Sequence, residues 1–161
     1  MQQPSFETEF KVLHVTSAAF GDKGNIPREY TCEAKDVNPP LEIGPIPEEA
    51  KSLALIFEDP DAPSGTWLHW LVWNIPILHH IHENEIPGDQ GKNDFGRNEY
   101  GGPCPPSGKH RYIFKVYALD DLIDLPEGST RDQVEDAMRS HIVAYGELAG
   151  VYKRSSLRKK E

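Results

Sequence analysis

Prolines and glycines cut this chain into short apolar runs, and that punctuation leaves little room for helices. Fourteen prolines and 13 glycines are spread over 161 residues. Proline fixes φ and has no N–H to donate, so it stops helices and stands at turns and strand edges. Between these breaks, residues 53–58, 69–75 and 112–119 read as buried strands, and 112–119 is the strongest. Residues 10–17 alternate and read as a further strand, and 147–153 as one that closes the sheet. Residues 38–47 hold four prolines and read as a structured loop. One helix is predicted, over about 131–144. Thr130 and Gln133 have capping-box spacing, Val134, Met138 and Ile142 form one apolar stripe, and Gly146 stands where a C-terminal cap belongs. The stripe reads as core packing.

Side chains alternate across a strand, so each face is read in steps of two. Leu53, Leu55, Phe57 and Asp59 share one face. His69, Leu71, Trp73 and Ile75 share another, and His110, Tyr112, Phe114, Val116 and Ala118 a third. Each apolar face ends in a titratable group. The connection over 60–68 is too short for a helical crossover, so the first two strands run antiparallel if they pair. That brings Asp59 and His69 to the same end of the sheet. His110 joins them if its strand runs in the direction of the second.

The turns beside these groups are Asp59-Pro60-Asp61-Ala62-Pro63 and Tyr100-Gly101-Gly102-Pro103-Cys104-Pro105-Pro106. Such loops are stiff and can present backbone N–H groups to a ligand. One carboxylate, two imidazoles and a phenol suit a ligand carrying both signs, such as a phosphate ester bearing an amine. Each part also has a structural reading: histidines commonly sit at strand ends, and Asp-Pro-Asp commonly starts a turn.

Charge narrows the partners. There are 26 acidic and 17 basic residues, for a net charge of −9. Residues 151–161 hold five basic residues and one acid, leaving −13 on the remainder. So acidic a body is a poor non-specific partner for nucleic acid or anionic lipid, and the basic tail reads as a solvated end. No apolar run approaches the ~20 residues of a membrane span. The first residues have neither the basic start nor the apolar stretch of a secretory signal, so a cytoplasmic address is expected. In that setting Cys32 and Cys104 are expected to be free thiols, and their spacing matches no zinc motif. No repeat, linker or second domain is visible. The expectation is one domain over 1–161, with a core of about 10–154 and a basic tail at 155–161.

At this point the chain resembles the phosphatidylethanolamine-binding protein family, also called the Raf kinase inhibitor protein family. Asp59-Pro-Asp-Ala-Pro63 with His69, and Gly102-Pro103 with His110-Arg111-Tyr112, look like its two signature regions. Asn93-Asp94-Phe95-Gly96-Arg97 followed by Tyr100 to Pro106 looks like the bacterial and archaeal branch. The resemblance runs from Phe10 to about Arg154 and takes in Ile26-Pro27, Pro39-Pro40-Leu41 and Glu147-Leu148-Ala149-Gly150. It implies a mostly β, antiparallel sandwich-like fold with a large central sheet, a smaller sheet and a helix near the C-terminus. It also implies a pocket for phosphate-like groups and phospholipid headgroups, lined by Asp59, Trp67, His69, Gly102, Pro103, His110 and Tyr112. Ile43 stands where members often carry an aromatic. The C-terminal segment that helps form the pocket in mammalian members has no clear match here.

The functional expectation is a non-enzymatic binding or regulatory protein for a small anionic or phosphorylated ligand, with no cofactor. The family's links to kinases and serine proteases add a protein partner, and a homodimer fits its microbial branch. The alternative is a hydrolase using the histidines and Asp59 on a phosphate or acyl ester. Against it, Ser64 and Ser107 lie in turns without a Gly-x-Ser-x-Gly elbow, and no phosphate-binding loop is present. A third reading is a metal site at His79-His80-x-His82, where alternation puts His80 and His82 on one side. No Cys or carboxylate partners are arranged around it in sequence, so no metal is expected.

Overall fold

The computed structural model describes residues 11–154. Phe10 and the basic tail at 155–161, both subjects of the sequence reading, lie outside the described residues. Among these residues ten strands, one 3-10 turn and one α-helix follow in the order β1 (Lys11–Val12), β2 (His14–Thr16), β3 (Gly24–Asn25), the 3-10 turn (Arg28–Tyr30), β4 (Leu41–Gly44), β5 (Ser52–Asp59), β6 (Trp67–Ile75), β7 (His80–Ile81), β8 (Asp89–Gln90), β9 (Lys109–Leu119), α1 (Arg131–Met138) and β10 (Ile142–Lys153). The large sheet has the order β1-β10-β9-β5-β6-β8, with β3 also paired to β10; β2-β4-β7 form the small sheet. The two short strands β1 and β3 run parallel to β10, and the other pairs are antiparallel. The architecture is the mostly β, two-sheet one with a helix near the C-terminus. Among the described residues no helix is long and apolar enough to cross a membrane.

The large sheet is covered on both faces. Between the sheets Leu53, Leu55 and Phe57 of β5 pack with Phe114, Val116 and Ala118 of β9 and with Leu13, Val15, Leu41 and Ile43. On the other face Ala54 and Ile56 pack with Leu71, Trp73, Leu119 and Val134 and Met138 of α1. All eight residues of β5 are therefore buried, as a strand covered on two sides requires. The expected strand over 10–17 splits in two. Leu13 crosses between the sheets, donating its N–H to the Tyr145 carbonyl at 2.9 Å, so β1 edges one sheet and β2 the other.

The helix is shorter than its periodicity predicts. The capping box at Thr130 and Gln133 forms, but α1 stops at Met138 and Ser140 takes a φ of 73°. Ile142 continues the stripe in space, packing on the same core, yet it belongs to β10 opposite Leu119. The reason is non-local. Pairing 142–153 along β9 satisfies a long row of backbone groups that further helical turns would leave apart. Gly146 is accordingly no helix cap. It lies in β10, where an added β-carbon would sit 2.0 Å from the Leu13 carbonyl oxygen.

That contact sets a test. Gly146→Ala forces the crossing at Leu13 away from β10 and is expected to lower stability by about 1–3 kcal/mol, the usual cost of overpacking. Urea denaturation checks it; a helix-cap glycine in an exposed turn would give the protein's core no such clash.

Candidate functional site

β5 pairs antiparallel with both β6 and β9, so β6 and β9 run in the same direction. The C-terminal end of β5 therefore meets the N-terminal ends of both neighbours, which is where Asp59, His69 and His110 stand. Asp59 and His110 reach the same face by simple alternation. His69 does not. Phe57 lies opposite Trp70 while Glu58 lies opposite Leu68, so His69 is the extra residue of a β-bulge. A second irregularity falls between Val72 and Ile75, where Asn74 has a φ of 54°. Strict alternation grouped His69 with Leu71 and Trp73. In the fold those two face the helix, while Trp67, Trp70, Val72 and Ile75 share the face of Asp59 and Phe57. The bulge turns His69 toward that second set, with its ring 5.5 Å from Phe57 and 5.3 Å from Tyr112.

Both imidazoles are held by Nδ1. His69 Nδ1 donates to the Gly101 carbonyl at 2.7 Å, and Gly101 N–H donates back to the His69 carbonyl at 3.0 Å. A carbonyl can only accept, so the proton sits on Nδ1 and Nε2 carries a lone pair. His110 Nδ1 lies 2.7 Å from Asp59 Oδ2, while Asp59 Oδ1 accepts the Asp61 N–H at 2.7 Å. Neither Nε2 is hydrogen-bonded among the described residues. Burial pushes the His69 pKa below its ordinary 6.5, against the opposing pull of the Gly101 carbonyl and Asp59. Beside the site, a bidentate bond from Arg111 holds Asp61 down at about 2. The Tyr112 hydroxyl is buried beside Asp59 and the Cys104 backbone and makes no well-aligned hydrogen bond among the described residues. Burial and the charge of Asp59 raise its pKa.

Asp59, the two imidazoles and Tyr112 face a cavity of about 240 Å³. Of the seven residues expected there, Asp59, Trp67, His69, His110 and Tyr112 line it. Gly102 and Pro103 lie behind the wall. Gly102 N–H donates to Asp36 Oδ1 at 2.7 Å, and a β-carbon on it would sit 2.3 Å from the Tyr30 carbonyl oxygen. The Pro103 carbonyl accepts the Cys32 N–H at 3.1 Å. Their role is to hold the loop against residues 30–36.

The sequence reading missed Phe95, Pro63, Ser64, Pro105 and Pro106 as lining residues. Phe95 arrives through Asn93, whose Oδ1 accepts the N–H groups of Phe95 and Arg97 and whose amide donates to the His69 and Glu99 carbonyls. Asp94 Oδ2 then accepts the Leu68 N–H at 2.7 Å. This lays the Phe95 ring edge-on to Trp67 and His69, at 5.6 and 5.3 Å. The local signal was the Asn-Asp-x-Gly turn in 93–96, which marks a tight loop but not its destination.

The cysteines are a correction. Cys32 and Cys104 form a disulfide across a sequence separation of 72, with Cα atoms 5.5 Å apart. Nothing local announces a pair so distant in sequence, and it is the fold that brings Arg28–Tyr30 and its continuation beside the second loop. Disulfides persist in oxidising compartments. The free-thiol expectation, which was drawn from the cytoplasmic address, therefore fails. At the third site considered, His80 Nε2 and His82 Nε2 lie 3.1 Å apart on an exposed surface. Among the described residues no three His, Cys, Asp or Glu side chains are grouped to hold a metal.

Comparison with known proteins agrees with this fold. A family model described as phosphatidylethanolamine-binding protein matches residues 16–153. The chain is 51% identical over 150 residues to a UPF0098 protein of Pyrococcus abyssi, covering 86% of this chain and 84% of that one. It is 45% identical over 150 residues to a UPF0098 protein of Methanothermobacter thermautotrophicus, covering 88% and 99%. A crystal structure described as a phosphatidylethanolamine-binding protein homolog from Chlamydia trachomatis superposes with a TM-score of 0.87 at 41% identity, covering 90% and 99%. E. coli YbcL, described as a new member of the mammalian family, gives 0.82 at 31%, covering 89% and 99%.

The lowered pKa of His69 has a consequence for stability. The folded chain favours neutral His69 more than the unfolded chain does, so that stabilisation is full above about 6.5 and is lost as pH falls through the folded value. Urea midpoints measured between about pH 8 and pH 5 should fall more in wild type than in His69→Asn, which keeps a donor for Gly101 but does not titrate. Parallel curves for the two proteins would contradict the assignment.

Proposed function

The chain belongs to the phosphatidylethanolamine-binding protein family, and on that footing we propose that it is a binding and regulatory protein whose cavity takes a small phosphorylated ligand. The observation that carries this reading is the pair of imidazoles with Nδ1 engaged and Nε2 free, on rings that line one cavity. Neutral His69 accepts a hydrogen bond at Nε2 from a P–OH or ammonium group. His110, backed by Asp59, donates from Nε2 when charged. The Tyr112 hydroxyl supplies a further donor. At about 240 Å³ the space falls below the roughly 300–1,000 Å³ of drug-sized sites, which favours a headgroup-sized ligand. Trp67, Phe95 and the prolines give an apolar wall for its organic part.

Binding is favoured over turnover because neither imidazole is hydrogen-bonded to a Ser or Thr hydroxyl among the described residues, although Ser64 lines the cavity. An Asp–His pair alone lacks the activated nucleophile that covalent ester hydrolysis uses. The family's links to kinases and serine proteases make a protein partner the regulatory outlet of the same reading.

Calorimetric titration with inorganic phosphate and phosphoethanolamine tests the proposal. His69→Ala and His110→Ala are each expected to weaken binding about tenfold or more, as for loss of one charge-assisted hydrogen bond. Equal binding by wild type and both variants would remove the site.

A further inference from the structure

The cavity wall is held in an unusual way. Cys104, Pro105 and Pro106 line it, and the prolines at 103, 105 and 106 have no N–H with which to join a ladder. The loop is tied as far as Pro103, through Gly102 to Asp36 and through the Cys32 N–H to the Pro103 carbonyl. From 104 to 108 no backbone group enters a backbone hydrogen bond with the rest of the described chain, and strand pairing resumes at Lys109. Within that gap Cys104 is bonded covalently to Cys32, and its backbone faces the Tyr112 hydroxyl. Both cysteines are only partly buried.

We infer that the Cys32–Cys104 disulfide is a redox gate on the cavity: the oxidised chain holds the proline wall in place and binds its anion, and the reduced chain releases the wall and binds weakly. This rests on the anion-binding reading above. In the switching step a thiolate of a dithiol reductant attacks one sulfur and the Cys32–Cys104 bond breaks. The reductant's second thiolate then attacks the mixed disulfide and displaces the remaining cysteine as its thiolate. The reductant leaves as its own disulfide, and its two electrons and two protons end on Cys32 and Cys104 as thiols. Loss of a preorganised wall weakens binding because the ligand must then order the loop itself.

The test is a calorimetric phosphate titration of the protein before and after treatment with dithiothreitol. Hydrogen exchange is followed at the Cys32 and Gly102 amides, and circular dichroism monitors the fold. Reduction should weaken phosphate binding about tenfold or more and quicken exchange at both amides, with the β spectrum retained. The Cys32→Ser/Cys104→Ser variant should match the reduced protein and ignore the reductant. Unchanged affinity and exchange on reduction overturn the gate. So does loss of the whole spectrum, since the bond would then staple the fold rather than the wall. An oxidised chain that binds no phosphate, yet still exchanges faster on reduction, removes the anion reading while supporting the released wall.

Discussion

β5 has no exposed side, and much of the molecule follows from that. A strand with apolar layers above and below it has no water for its N–H and C=O groups, so it must be paired along both edges. β6 and β9 supply that pairing, and both are antiparallel to it. Their common direction is thus fixed by the need to satisfy one buried strand. The same pairing stacks Phe57 on Phe114, with ring centroids 3.8 Å apart, and gathers three strand ends at one edge of the sheet.

Two neighbouring carboxylates at that edge show how alternation divides structure from chemistry. Glu58 points to the helix side, where Lys115 and Arg131 meet it at 2.9 and 2.5 Å. Burial pushes its carboxyl up, but the bonds from these two cations outweigh burial and leave the pKa lowered. Both of its charges' partners are protein groups, so it anchors α1 to the sheet. Asp59 points the other way, to a single imidazole and one backbone N–H. It orients His110 through Nδ1.

Much of this was legible in order and direction. The three central strands, the apolar face of β9 and the meeting of Asp59 and His69 at one end came from a period of two and a short connection, while the place of His110 beside them hung on the direction of β9, which its pairing with β5 decided. The position of His69 came out at the right end of the sheet but on the wrong face, because a bulge breaks the period and leaves no mark in composition. The helix was overextended because Val134, Met138 and Ile142 fit a helical stripe whether or not the backbone stays helical. Phe95 was visible as part of a turn, with nothing to say that Asn93 and Asp94 would bind it to β6.

Sequence by itself determined which residues alternate, where turns must fall and which polar groups end the strands, since these depend on neighbours a few bonds away. Tertiary structure alone decided the bulge at His69, the conversion of 142–144 from helix to strand, the seating of Phe95 and the joining of Cys32 to Cys104. Each of these is set by hydrogen bonds or covalent contacts between segments far apart in the chain, whose satisfaction outweighs local preference once the sheets have formed.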